Sequence, residues 1–165
     1  MSEWTERDIT DALAAKFGRL HRNGNSVTPR HLFARQVRIG AGFDAGRIID
    51  AIAVDTWMSG GLSIHGFEVK TSRSDWLREI ANPTKGQDAL TVCSTLSVVA
   101  PRGVVSASEV PAGWGHYEAR LPSVVSSASR MVRVVRPPEA IGHSGPIDRG
   151  FAVALMRAIA REVAR

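Results

Sequence analysis

Gly66-Phe67-Glu68-Val69-Lys70-Thr71-Ser72-Arg73-Ser74-Asp75-Trp76-Leu77 is the stretch on which the fold turns. It opens as the end of a strand over 62–70 that follows the turn-forming Ser59-Gly60-Gly61. Successive strand side chains point to opposite faces, so Glu68 and Lys70 share one face and Phe67 and Val69 the other. His65 stands on the face opposite Glu68. A carboxylate and an ammonium so placed can share a site. Working backwards, Arg47-Ile48-Ile49-Asp50-Ala51-Ile52-Ala53-Val54-Asp55 predicts a second strand. Asp50 lies there among Ile48, Ile52 and Val54, surroundings in which a carboxylate needs a partner or an ion. Pairing of the two strands through the 59–61 turn would bring Asp50 close to Glu68. Two hard oxygen ligands with a lysine beside them suit Mg2+-assisted hydrolysis of a phosphodiester.

Working forwards, Ser72 or Ser74 caps a short helix over 75–80, which Asn82-Pro83 closes. A second helix follows over 85–93. Residues 96–100 predict a buried strand with a turn at 101–103. Two late strands, 114–120 and 131–136, flank a serine-rich loop. Pro137-Pro138 to Pro146 reads as a linker. The last helix runs from about 147 to 165, with Phe151, Leu155, Ile159 and Val163 spaced by four. Arg149, Arg157, Arg161 and Arg165 form a second stripe at that period, suited to non-specific phosphate contacts.

Upstream, Thr5 or Ser2 caps a first helix with the apolar stripe Ile9, Leu13, Phe17 and Leu20. Glu6, three residues before Ile9, shares its inward face, whereas Asp8 and Asp11 point elsewhere. Residues 22–26 read as a loop. The 31–39 strand puts Phe33, Val37 and Ile39 on one face and Gln36 and Arg38 on the other. A glycine-rich turn, 40–46, closes a hairpin; no lysine or helix start follows it at phosphate-loop spacing. This order predicts an α/β sandwich with a mixed central sheet flanked by helices.

A chain of 165 residues suits a single domain over 1–165 with a core of its own. Its longest apolar runs fall well short of the ~20 residues of a membrane span, and the polar N-terminus does not resemble a signal peptide. The expectation is a cytoplasmic protein with no membrane partner. The lone Cys93 excludes an internal disulfide and a cysteine-rich metal cluster, and it reads as a small buried apolar residue. His31, His65 and His116 lack metal-ligand spacing. The net charge of +5 suits a polyanionic partner, and the residues from Arg120 onward carry all of that surplus. Lysine occurs only at 16, 70 and 85, so two of the three lie in or beside the opening stretch.

Asp50 followed by Glu68-Val69-Lys70 resembles the signature of the PD-(D/E)XK nuclease superfamily. Ser72-Arg73-Ser74-Asp75-Trp76-Leu77, Pro83-Thr84-Lys85, Cys93, Val98-Val99-Ala100-Pro101 and Pro111-Ala112-Gly113-Trp114-Gly115 resemble a phage and bacterial branch of it, similar to MmcB-like DNA repair proteins. The likeness spans a motif core of about 47–115, with Ile49 standing where the family name has proline. It implies a restriction-endonuclease-like fold with Asp50, Glu68 and the Val69 carbonyl holding Mg2+ or Mn2+. Lys70 would hold or deprotonate the attacking water, or stabilise developing charge. Glu6 is an accessory acid candidate, and Lys85 and Gln87 are candidates to face the scissile phosphate. Arg73 would clamp a phosphate, and Trp76 is the best placed of Trp57, Trp76 and Trp114 to stack on a base.

Plainer readings stand beside these. Glu6 is also a first-turn helix acid, Lys85 and Gln87 solvated helix residues, and Arg73 a partner for Asp75 or Glu79. The tryptophans are also core residues, and Glu68 with Lys70 is also a structural ion pair. Two function classes follow. One is a Mg2+-dependent deoxyribonuclease in DNA repair, recombination or phage DNA metabolism, working in the cytoplasm of a bacterial or phage-infected cell. DNA, repair or replication proteins and a second copy of the chain are its expected partners. The other is a catalytically silent DNA-binding or assembly protein with a nuclease-like fold. A restriction-type endonuclease needs a specificity element that this length barely accommodates.

Overall fold

A computed structural model describes residues 4–18, 20–23, 26–40, 46–120 and 131–165. The Ser2 cap, the turn residues 24–25 and 41–45 and the serine-rich loop 121–130 lie outside them. Six strands form one mixed sheet in the order β3 (His31–Arg38), β4 (Ile48–Asp55), β5 (Ile64–Val69), β6 (Thr95–Pro101), β7 (Gly115–Arg120) and β8 (Met131–Arg136). Pairing is antiparallel across β3, β4 and β5, parallel across β5, β6 and β7, and antiparallel again at β8. β6 is buried along its whole length. Its run Val98-Val99-Ala100 is the continuous apolar text expected of a parallel strand covered on both faces.

Helices cover the two faces. α1 (Glu6–Phe17) starts at a reciprocal cap, in which Asp8 N donates to Thr5 Oγ1 at 3.2 Å and Thr5 N to Asp8 Oδ2 at 2.9 Å. Its Ile9, Ala12 and Leu13 pack on Phe33, Phe67, Val99 and Tyr117 of one sheet face. The opposite face takes α2 (Arg73–Ile80), α3 (Thr84–Leu90) and α4 (Arg149–Val163), through Trp76, Ala89, Phe151 and Leu155. Each fully buried side chain of leucine or phenylalanine size contributes roughly 1.5–3 kcal/mol.

Four sequence expectations of the fold need correction. α1 ends at Phe17, where Gly18 N reaches Ala14 O at 2.7 Å, so Leu20 leaves its stripe and begins a strand. That strand, β1 (Leu20–Asn23), pairs antiparallel with β2 (Ser26–Pro29) in a small separate sheet, so Arg22, Asn23 and Ser26 of the expected 22–26 loop lie in strands. In α4 the buried set is Phe151, Leu155 and Ala158, while Val163 is 84% exposed beyond the sheet. A helix period of 3.6 drifts off a strict spacing of four over that length.

The most consequential departure lies in β3. Gln36 adopts φ +51°, the left-handed region, between the regular pairs Arg35↔Ala51 and Val37↔Ile49. Phe33 therefore faces α1 and Val37 the opposite core, whereas unbroken alternation puts them together. β4 turns over at the facing residue, Asp50. Ala51 and Ala53 face α1, Ile52 and Ile49 face the other core, and Ile48 is exposed rather than lining Asp50. A β-branched residue tolerates this backbone poorly. Gln36→Val is expected to cost about 1–3 kcal/mol. Gln36→Asn, which accepts a left-handed φ, should stay within roughly 0.5 kcal/mol of the parent in thermal unfolding.

Candidate active site

The turnover at Asp50 opens the sheet. β4 and β5 pair from Val54↔Ile64 to Ala51↔Phe67, and their described ladder goes no further. Beyond it the Asp50 carboxylate replaces a backbone acceptor, taking the Val69 N–H on Oδ2 at 2.7 Å. β5 stays joined to β6 on its other side, where Lys70 N donates to Val99 O at 3.0 Å. Asp50, Glu68 and Lys70 are thus gathered where two strands part. Asp50 and Lys70 line an open, polar cleft of about 360 Å3 whose other walls include Val69, Thr71, Glu79 and Lys85.

Glu68, 3% exposed, lies beneath this cleft. Its Oε1 is 2.9 Å from Arg47 Nη2 but accepts no hydrogen bond, and its Oε2 is 3.8 Å from Lys70 Nζ. A third carboxylate completes the group. Glu79 of α2 receives Lys70 Nζ at 3.0 Å and Arg47 Nη2 at 2.9 Å, with Lys85 Nζ 3.9 Å away. On sequence alone Glu79 stands only as a mate for Arg73, and nothing marks Arg47. A signal was present, because Trp76, Glu79 and Ile80 fall at i, i+3 and i+4 on the inward stripe of α2.

The electrostatics separate these groups. Burial is the main cause that pushes the Asp50 carboxyl up to about 6, against the lowering effect of the Val69 N–H and Lys70. Burial, then the charge of Asp50, pushes Glu68 up to about 7 despite Arg47 and Lys70. Burial also opposes the charge of Lys70, yet its bond to Glu79 and the surrounding carboxylates outweigh that and hold it above its ordinary value. For Glu79 burial raises the pKa, but Lys70, Arg47 and Lys85 prevail and keep it below. Lys70 is therefore a fixed cation, able to hold a water or balance negative charge but poorly suited to remove a proton.

Two protonation-prone carboxyls and an unbonded buried carboxylate oxygen are what a hard divalent cation would relieve. Among the described residues no three His, Cys, Asp or Glu side chains are grouped to hold a metal ion, so the expected set of Asp50, Glu68 and the Val69 carbonyl supplies two carboxylates and no ready cage.

The remaining predicted residues divide. Glu6 is exposed, lines the cleft and accepts a bond from Gln36 Nε2 at 2.7 Å. Lys85 also lines the cleft, whereas Gln87 faces a neighbouring hollow. Arg73 is no free phosphate clamp. It grips both oxygens of Glu109 and reaches Val104 O at 3.1 Å, a partner other than the expected Asp75 or Glu79. Trp76 is fully buried, with Nε1 on Glu109 Oε2 at 3.2 Å, so it belongs to the core and not to a stacking platform. Arg149, Arg157, Arg161 and Arg165 are all exposed. Of these, Arg165 joins Arg7 and Arg35 in a trough that meets the cleft at Glu6. His65 bonds Thr95 Oγ1 at 2.8 Å and Ser63 Oγ at 3.1 Å, away from Glu68. Cys93 is buried, and burial pushes its thiol up to about 12.

No family model matches this sequence, and no curated protein matches it. Among solved structures the chain is similar to the SPO1766 protein of unknown function from Silicibacter pomeroyi. The TM-score is 0.53 at 18% identity, over 82% of this chain and 76% of that one. This likeness concerns the fold alone. No described helix is long and apolar enough to cross a membrane.

Proposed function

We propose that the protein is a metal-dependent DNA nuclease of the PD-(D/E)XK kind, hydrolysing phosphodiester bonds in DNA repair, recombination or phage DNA metabolism. The observation that carries this reading is the parting of β4 and β5 at Asp50, which leaves Asp50 and Lys70 lining one cleft with Glu68 buried within reach of the charge of both. A bound Mg2+ or Mn2+ would neutralise phosphate charge and acidify a water. Asp50 and Glu68 would hold that ion, with the Val69 carbonyl beside them. Lys70, charged and anchored on Glu79, would hold the water and offset the charge that develops on the phosphate. Lys85, at the cleft rim, would orient the strand, and Glu6 beside it would be an accessory acid for the ion. Lys70→Ala should then slow cleavage by at least about 100-fold.

The deciding experiment incubates the purified protein with labelled linear, circular and single-stranded DNA in Mg2+, Mn2+ or EDTA. Cleavage with either ion and none in EDTA is the expected result. One observation favours the second reading, a silent DNA-binding or assembly protein: Arg47 and Lys70 already neutralise Glu68 and Glu79 without an ion. DNA retained but uncut under every condition would decide for it.

The exposed arginines of α4 supply a separate expectation. Each phosphate neutralised contributes ~0.9 to the slope of log affinity against log salt on duplex DNA. Arg157→Ala with Arg161→Ala should flatten that slope by about one to two units, at equal cost to all sequences. An unchanged slope with an unchanged melting temperature would leave these arginines as a solvated outer face.

A further inference from the structure

Beside the catalytic cleft lies a second hollow of about 170 Å3, between α2, α3 and the 111–114 segment. We infer that this pocket receives one unpaired nucleobase of the DNA strand whose phosphate lies in the cleft. The inference rests on the nuclease reading and deepens it, because it assigns the substrate class: DNA with a single-stranded or frayed region.

The walls carry the argument. Leu90, Pro111 and Trp114 give the interior its flat apolar walls, with the buried Trp76 behind them, and Asn82 and Gln87 are also lining residues. Flat apolar walls stack on a base of any identity, while an amide pairs with a base edge. The volume is of the class of a roughly 150 Å3 cavity that admits one benzene ring. Trp114 is locked in place. A Cβ at Gly86 would lie 2.2 Å from its ring, so only glycine lets α3 seat against the indole. The pocket is therefore a fixed feature of the α3 packing.

Position supplies the second half. Glu79 lines both hollows, and Lys85 faces the cleft while Gln87, two residues on in α3, faces the pocket. The first turn of α3 is thus the partition between a phosphate site and a base site. A strand crossing that partition places its phosphate at Lys70 and Lys85 and its base over Gln87. A base stacked inside a duplex cannot make that crossing, so it enters only when unpaired or extruded.

The test measures binding in EDTA, with cleavage off, using a single-stranded oligonucleotide, its blunt duplex and a series carrying one abasic position each. Single-stranded DNA should bind more tightly than the duplex, and one abasic position should lower affinity about ten-fold. Gln87→Ala should remove the dependence on base identity at that position with the melting temperature unchanged. The abasic series leaves the protein untouched, so it decides even if the variant misfolds. A flat series, or equal affinity for single strand and duplex, overturns the inference. A flat series from a protein that cuts DNA with Mg2+ removes the pocket and keeps the nuclease. Base-dependent binding without cleavage under any ion keeps the pocket and removes the nuclease.

Discussion

Glu68→Gln is expected to abolish ion-dependent DNA cleavage and, in the same protein, to raise the melting temperature near pH 8. The first effect follows, on the proposed function, from loss of one of the two carboxylates, Asp50 and Glu68, that would hold the ion. The second follows from burial. The Glu68 carboxyl titrates at about 7 in the fold against an ordinary 4.5, because burial and Asp50 disfavour its charge. Between those values the folded chain keeps a proton that the unfolded chain has released, so stability falls as pH rises through the window. Above pH 7 the penalty is complete, and glutamine, carrying no charge, escapes it. One pKa unit corresponds to ~1.4 kcal/mol, so the gain is on the order of a few kcal/mol, at ~2–4 °C of melting temperature each. Melting curves for both proteins from pH 4.5 to 8 should converge at the acid end and separate at the alkaline end. Parallel curves, or undiminished cleavage, would remove Glu68 from the proposed role.

Glu79→Ala is the second large effect, in the opposite direction on stability. Glu79 is the anion shared by Arg47 and Lys70, both mostly buried. Removing one partner of a buried pair leaves uncompensated charge and costs about 3 kcal/mol. The two cations then have Glu68 as their remaining close carboxylate, 2.9 and 3.8 Å away. They should compete there with a divalent ion, so cleavage falls and its Mg2+ requirement rises. Glu79 sits below its ordinary pKa, so its contribution is present above pH 4.5 and lost as the medium turns more acid. The destabilisation of Glu79→Ala should shrink accordingly toward pH 4. Denaturant unfolding at two pH values and a Mg2+ titration of the cleavage rate check both halves. A variant of parental stability with an unchanged Mg2+ requirement would make Glu79 a bystander.

Much of the fold is legible in the sequence because its signals are local. Alternation marks β5, the β-branched residues of 48–54 mark β4, the apolar run marks β6, and the stripe spaced by four marks α4. Ser72 donates a cap to α2, accepting Asp75 N, from a residue type that favours that position. The β1–β2 hairpin escapes because Leu20-His21-Arg22-Asn23 is too short and polar for a period to show. The facing of Phe33 and Val37 escapes for a different reason. A period of two assumes one backbone conformation throughout, and nothing about glutamine announces a left-handed φ. In the site, Asp50, Glu68 and Lys70 are legible as residues that apolar or strand context makes conspicuous. Glu79 and Arg47 are not, since an acid on a charged helix and an arginine beside a loop look solvated until packing buries them. Trp76 and Arg73 mislead for the same reason, because their partner Glu109 lies some thirty residues away and no local pattern links them.

The turnover at Gln36 and Asp50 also governs how freely the sheet can drift in sequence. On the 51–53 side both faces are roofed, so Ala51, Ile52 and Ala53 are enclosed in succession. Past the turnover Ile48 is exposed next to a fully enclosed Ile49. A saturation scan should find three adjacent intolerant positions, then alternate permissive and restrictive ones. The permissive end of these strands is the end that borders the cleft. The exposed pair Arg38 and Ile48 can therefore be rewritten while the roofed half of the same strands keeps the architecture unchanged.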